Sequence, residues 1–178
     1  MKRHRIGGFT AARVVEIEPP LASPAQMFPD FDPEIFRAHA GWLTERDAYD
    51  PVTDMLKLSI HSWVLRTKHH TIVIDTCCGN DRERPKFPIA HRLDTPYLDN
   101  LRAAGVDPDK VDFVCCTHLH VDHVGWNTRL ENGRWVPTFR NARYLFSKAD
   151  YDHWDAMNRA DPAKPANYGA FDDGVLPV

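Results

Sequence analysis

Two short apolar runs bracket a helix-forming segment between residues 71 and 118, and that order restricts the folds open to the chain. The run "TIVI" (71–74) and the segment "KVDFVCCTH" (110–118) are continuous enough in apolar residues to be strands buried on both faces. A polar, turn-rich stretch, residues 79–94, leaves the first of them. A helix is predicted next. Thr95 suits the N-cap, Pro96 the first helical position and Gly105 the stop, while Tyr97, Leu98, Leu101 and Ala104 share one face. Strand, helix, strand in this order predicts a crossover with parallel strands, and hence an α/β fold with α+β layers.

The flanking sequence adds further elements. "FTAARVVEIE" (9–18) alternates like a strand, and residues 19–34 carry five prolines and predict an irregular loop. Pro33 after Asp32 opens a short helix over 33–43. Residues 55–67 and 69–78 predict two strands joined in a hairpin around Lys68, His69 and His70. Residues 132–139 and 142–147 predict two more. Ser147 and Asp150 look like a capping box for a helix over 148–157 that turns Tyr151, Trp154 and Met157 inward. From Asp161 onward there is little pattern.

Composition narrows the class of function. A net charge of -3 and a pI near 6.3 argue against a nucleic-acid footprint. The one basic cluster, Lys2 to Arg5, reads as a solvated terminus because no apolar stretch follows it. No apolar run approaches the ~20 residues of a membrane span. The four cysteines fall in two adjacent pairs, Cys77-Cys78 and Cys115-Cys116, which suits buried filler rather than a spaced disulfide framework, and a cytoplasmic location is expected. "DRERPKF" (81–87) reads as a solvated charge run.

The chemistry lies where the second buried strand ends. "THLHVDH" (117–123) places three histidines and an aspartate within six positions. Residues two apart in an extended segment face the same way, so His118 and His120 can aim two imidazoles at one point. Asp122 and His123, past a turn, suit a second ion nearby, as in two-metal hydrolytic sites. Neutral imidazole is a common metal ligand, and carboxyl ends of parallel strands commonly collect ligands. Asp75 ends the earlier strand, either as a partner that orients a ligating histidine or as a turn residue. Thr117 either orients a ligand or pairs in the sheet. Trp126 and Asn127 either line a pocket or pack the loop.

"THLHVDH" resembles the metal-binding signature of the metallo-β-lactamase superfamily. "TIVIDTCCGN" (71–80) and "TPYLDNLRAAGVDPDKVDFVCCTHLHVDHVGWN" (95–127) extend the resemblance, which covers about residues 55 to 157. It is nearest the branch that includes N-acyl-homoserine lactonases and methyl-parathion-hydrolase-like enzymes. The resemblance implies an αβ/βα sandwich and two divalent metal ions, zinc by default with iron or manganese as alternatives. It implies His118 and His120 as ligands of the first ion, and Asp122 and His123 as ligands of the second. Asp122 would also move a proton, making it the catalytic residue, and Asp75 would stand behind the ligands.

Family members draw further ligands from a later segment. After His123 this chain has one histidine, His153, within the predicted helix and read as a surface or packing residue; Asp161, Asp172 and Asp173 sit in a tail without strand context. The upstream His61, His69, His70 and His91 match no ligand position. The chain is therefore expected to be a single domain, 1–178, corresponding to the N-terminal portion of the fold and incomplete at its C-terminus. An exposed apolar sheet face would favour self-association. The expected function is metal-dependent hydrolysis of a lactone, ester or phosphotriester, a small-molecule substrate, with no nucleic-acid or membrane partner. Two alternatives remain open: a truncated or degenerate form binding metal weakly or not at all, and a sulfur-handling or iron-containing oxidoreductase of the same superfamily.

Overall fold

The computed structural model describes residues 3–18, 20–161 and 163–178, so the expectations that touch Lys2 and Pro19 lie outside the described residues. The chain divides into two compact units, Ile17–Ser59 and the remainder, Met1–Glu16 with Ile60–Val178.

The larger unit is built on a six-stranded mixed sheet. Its strands are β1 (Arg3–Ile6), β2 (Phe9–Ile17, which runs to the unit boundary), β6 (Ile60–Arg66), β7 (Thr71–Ile74), β8 (Phe113–Cys115) and β11 (Arg143–Leu145), in that spatial order. In the smaller unit, β3 (Pro20–Ala22), β5 (Met55–Lys57) and β4 (Tyr49–Asp50) form a second, antiparallel sheet, accompanied by α1 (Pro24–Met27) and α2 (Pro33–Glu45). Asp32 caps α2 as expected, its carboxylate accepting from the amides of Glu34 at 2.8 Å and Ile35 at 3.3 Å.

The predicted crossover is present. β7 and β8 run parallel, with Val73 opposite Val114, and α3 (Tyr97–Ala103) lies between them in sequence. β6 and β7 form the expected antiparallel hairpin, and β11 adds in parallel on the far side of β8. The register divides the sheet into two faces. Val64, Val73 and Val114 are buried in one core cluster with Tyr97 and Leu101 of α3 and with Phe171 and Val175. The opposite face carries Trp63, Leu65, Ile72, Ile74, Phe113 and Leu145, which range from half-buried to exposed.

Several local expectations are corrected. Residues 55–67 form two strands in two different sheets, not one. Asn132 and Gly133 both take positive φ, 51° and 75°, as a tight hairpin turn requires, so that segment is a hairpin of β9 (Thr128–Glu131) and β10 (Arg134–Pro137). The N-cap of α3 is Pro96; the Thr95 hydroxyl instead contacts Asn80 Oδ1 at 3.1 Å. Cys77 and Cys78 lie beyond the end of β7, although both are buried and all four thiols are free. In α4 (Lys148–Ala160) Tyr151 and Trp154 pack on the core, but Met157 is exposed. The tail that looked patternless contains α5 (Ala170–Gly174), with Phe171 fully buried. No described helix is long and apolar enough to cross a membrane.

Candidate metal centre

The motif loop starts immediately after β8, at the carboxyl end of the parallel strands, and is joined there to the loop that leaves β7. Thr76 donates its amide to His123 O, Gly125 to Cys77 O and Trp126 to Thr76 O, each at 2.7 Å. Glycine is required at this crossing: a Cβ on Gly125 would lie 1.9 Å from Cys78 C and O. The junction places Asp75 beside the motif. Asp75 itself sits at φ 56°, a left-handed conformation that aspartate tolerates better than most residues.

The sequence-predicted residues are thereby gathered into one cluster. Asp75 accepts the Thr117 amide at 2.7 Å and the Thr117 hydroxyl at 2.8 Å, and that hydroxyl is 3.1 Å from His118 Nδ1. The ring of His118 is 3.9 Å from that of His123 and 4.5 Å from that of His120, centroid to centroid. His123 lies between two carboxylates. Its Nδ1 is 3.0 Å from Asp75 Oδ2, off the line of a well-formed hydrogen bond, and its Nε2 is 3.4 Å from Asp122 Oδ2.

The electrostatics follow from this arrangement. Burial opposes the charge of His123, but Asp122 and Asp75 outweigh it and hold its pKa up at about 9. Burial likewise opposes ionisation of Asp75 and Asp122; His123 outweighs it for both, Thr117 helping at Asp75, and both carboxyls fall below their ordinary range. Burial, together with the fields of His123 and His120, pushes His118 down toward the neutral form. Because the pKa of His123 in the fold exceeds its ordinary 6.5, its stabilising contribution is complete below pH 6.5 and fades as pH rises through about 9. Thermal melts of the metal-free chain should therefore show stability falling over that range, and His123→Gln should flatten the slope; an unchanged slope in the variant would refute the charged-His123 assignment.

In kind, these donors fit a divalent cation: a neutral imidazole, ionised carboxylates, and an outer carboxylate that orients a ligand through Thr117 and His123. In number they fall short. Among the described residues no three His, Cys, Asp or Glu side chains converge where one ion could sit. His153 is exposed, its ring edge-on to Trp154.

Beside the motif is a cleft of about 840 Å³, bordered by His120, Asp122, Trp154, Tyr168, Lys86 and Lys164. Trp126 and Asn127 do not line it. Both are buried, with Trp126 stacked on Tyr97 and Asn127 donating to Gly174 O at 3.0 Å, so they pack the loop.

Sequence reasoning missed the groups that hold the junction together. Buried Glu16 accepts from the amides of Cys78 at 2.8 Å and Gly79 at 3.1 Å and from the indole of Trp126 at 2.6 Å. The supposed solvated charge run holds two buried arginines. Arg82, 1% exposed, donates to the carbonyls of Gly125 and Thr128 and stacks on Trp135; with Arg84, 3% exposed, it shares the Asp173 carboxylate. A charge run gives no signal of burial until its counter-ion, here 89 to 91 residues away, is known.

Known proteins resemble the chain in sequence and in fold. The family model described as "Metallo-beta-lactamase superfamily" matches residues 56–176, more than half of the chain. The N-acyl homoserine lactonase AiiB of Agrobacterium fabrum (strain C58 / ATCC 33970) is 25% identical over 81 residues, 40% of this chain and 29% of that protein. Among solved structures, the hydrolase AbOPH, of the beta lactamase superfamily, matches with a TM-score of 0.67 and 24% identity, over 96% of this chain and 54% of that one. The dizinc quorum-quenching lactonase AidC matches with a TM-score of 0.65 and 19% identity, over 97% and 59% respectively. The chain thus spans little more than half the length of these solved relatives.

Proposed function

The chain belongs to the metallo-beta-lactamase superfamily, and from that premise we propose that it carries ligands of a divalent-metal hydrolase site: His118 and His120 for one ion, Asp122 and His123 for a second. The observation that carries this reading is the cluster of three imidazoles with Asp122 at the carboxyl end of β8, backed by Asp75. Zinc suits the donors best, with iron or manganese acceptable to the same histidine and carboxylate set. The dizinc lactonase among the structural neighbours favours the same metal.

A divalent cation held by His118, His120, Asp122 and His123 would supply Lewis acidity and would activate water near neutral pH. The remaining roles fall to the chain's own residues. Asp75 orients the His118 imidazole through the Thr117 hydroxyl and pairs by charge with His123. Asp122, ionised and bordering the cleft, takes the proton that must move to the leaving oxygen. Trp154 and Tyr168 give the cleft an aromatic wall suited to the apolar part of a small ester or lactone. A lactone is the favoured substrate, in keeping with the lactonases among its relatives.

With zinc supplied, the chain should open an N-acyl lactone faster than it cleaves an aryl ester or a phosphotriester, and Asp122→Asn should lower that rate by roughly 10²–10⁴-fold. Equal rates in the wild type and the variant would remove Asp122 from the mechanism. The shortage of converging donors favours a second reading, in which the chain takes up metal weakly and turns nothing over. Zinc uptake without hydrolysis of any of the three substrates would select it.

A further inference from the structure

Leu119 separates the two histidines of the first pair, and its backbone is held in an unusual way. Among the described residues no strand pairs with the motif loop at Leu119 to Val121. Two distant side chains do so instead. The Leu119 amide donates to Asp150 Oδ2 at 2.6 Å. The Leu119 carbonyl accepts from Asn167 Nδ2, and Asn167 Oδ1 accepts the Val121 amide at 3.1 Å. The Asn167 carboxamide thus pairs with the loop as a neighbouring strand would, one donor and one acceptor against residues two apart.

Packing supplies the other half of the restraint. Leu119 and Val121 are 1% and 5% exposed and belong to the core cluster, while the rings of His118 and His120 lie together outside it, 4.5 Å apart; Asp122 follows in the turn that the His123 amide closes on His120 O at 2.9 Å. Neither clamping residue is in its ordinary role. Asp150 stands three residues after the Ser147 cap of α4, where a capping box would turn its side chain back to Ser147; it reaches Leu119 instead. Asn167, Tyr168 and Gly169 are three successive left-handed residues, at φ 52°, 58° and 88°. Asparagine tolerates this conformation, but tyrosine is strained in it, and the clamp is a contact that offsets that strain.

We infer that Asp150 and Asn167 are positioning residues for His118 and His120, fixing the two imidazoles by gripping the backbone on either side of the Leu119 peptide. The inference rests on the reading of those histidines as metal ligands. The grip is made only by groups of the chain itself, so it can be tested without added metal first.

Amide exchange is followed by NMR in the metal-free protein. Asp150→Ala should speed exchange at Leu119 by about tenfold or more, and Asn167→Gly should do the same at Val121. Glycine keeps the left-handed backbone available, so that substitution removes the side chain without adding strain. Asp150→Asn retains an acceptor and should keep Leu119 protected. Unchanged exchange at Val73 and Val114 marks the effect as local. Should Asn167→Gly fail to fold, Asn167→Asp retains the acceptor for Val121 and removes only the donor to Leu119, so it should expose the loop more mildly.

Cobalt(II) titration is the second arm. Asp150→Ala and Asn167→Gly should each weaken binding by roughly 10–100-fold, the range for residues that orient a ligand, with Asp150→Asn near the wild type. Unaltered exchange at Leu119 and Val121 in folded variants overturns the inference. So does faster exchange with unchanged cobalt affinity. A wild-type chain that binds no cobalt contradicts the metal reading instead, and the positioning role falls with it even if the exchange arm shows the grip.

Discussion

Gly125→Ala should be the most damaging single-methyl change in the larger unit. The added Cβ would meet the Cys78 carbonyl carbon and oxygen at 1.9 Å and the Gly79 amide nitrogen at 2.4 Å, and all three are backbone atoms that no side-chain rotation can move. Ordinary overpacking costs about 1–3 kcal/mol because side chains absorb it. Here the two loops must separate, and with them go the amide of Gly125 to Cys77 O and that of Trp126 to Thr76 O. A loss above about 3 kcal/mol is expected, lowering the thermal midpoint by about 6 °C or more for a chain of this size. Because the junction also brings Asp75 to His123, the raised pKa of His123 should relax toward its ordinary value in whatever folded population remains. Gly41→Ala is the control: nothing lies within 4 Å of its added Cβ, and in the interior of α2 it should stabilise by roughly 0.5–1 kcal/mol. Equal melting points for wild type and Gly125→Ala would show that the loops do not cross this closely.

The parts of this arrangement that were legible in the sequence are those written in local pattern. β7, α3 and β8 were readable because apolar runs, a proline at a helix start and Gly105 at its end lie within 45 residues of chain. The ligand candidates are readable because all four fall within six positions, His118 to His123. What escaped was settled by long-range partners. Glu16 looks like one more polar residue of an alternating strand, yet it is buried against loops 62 to 110 residues away. Arg82 and Arg84 look solvated until Asp173 arrives from α5. The Asp150 side chain fits a capping pattern in sequence, and only the tertiary contact with Leu119 redirects it. The Asn132-Gly133 turn differs in kind: its signal is local, but the apolar residues after it suggest a strand that begins at 132 rather than at Arg134.

The second large effect concerns the ligands themselves. His118 and His120 face one side of the motif loop, and His118 is already held toward its neutral, metal-binding form. Removing both imidazoles takes away the two donors assigned to the first ion. The loss should exceed the roughly 10–100-fold that removal of an orienting partner costs. Folding should be little affected, because His118 is only part-buried and His120 is exposed, while Leu119 and Val121 supply the core packing. The direct measurement is zinc retained after equilibrium dialysis, wild type against His118→Ala/His120→Ala, with thermal melts confirming that both are folded. The wild type should retain zinc and the double variant should lose most of it; equal retention by the two folded proteins would contradict the assignment of this motif as a metal centre.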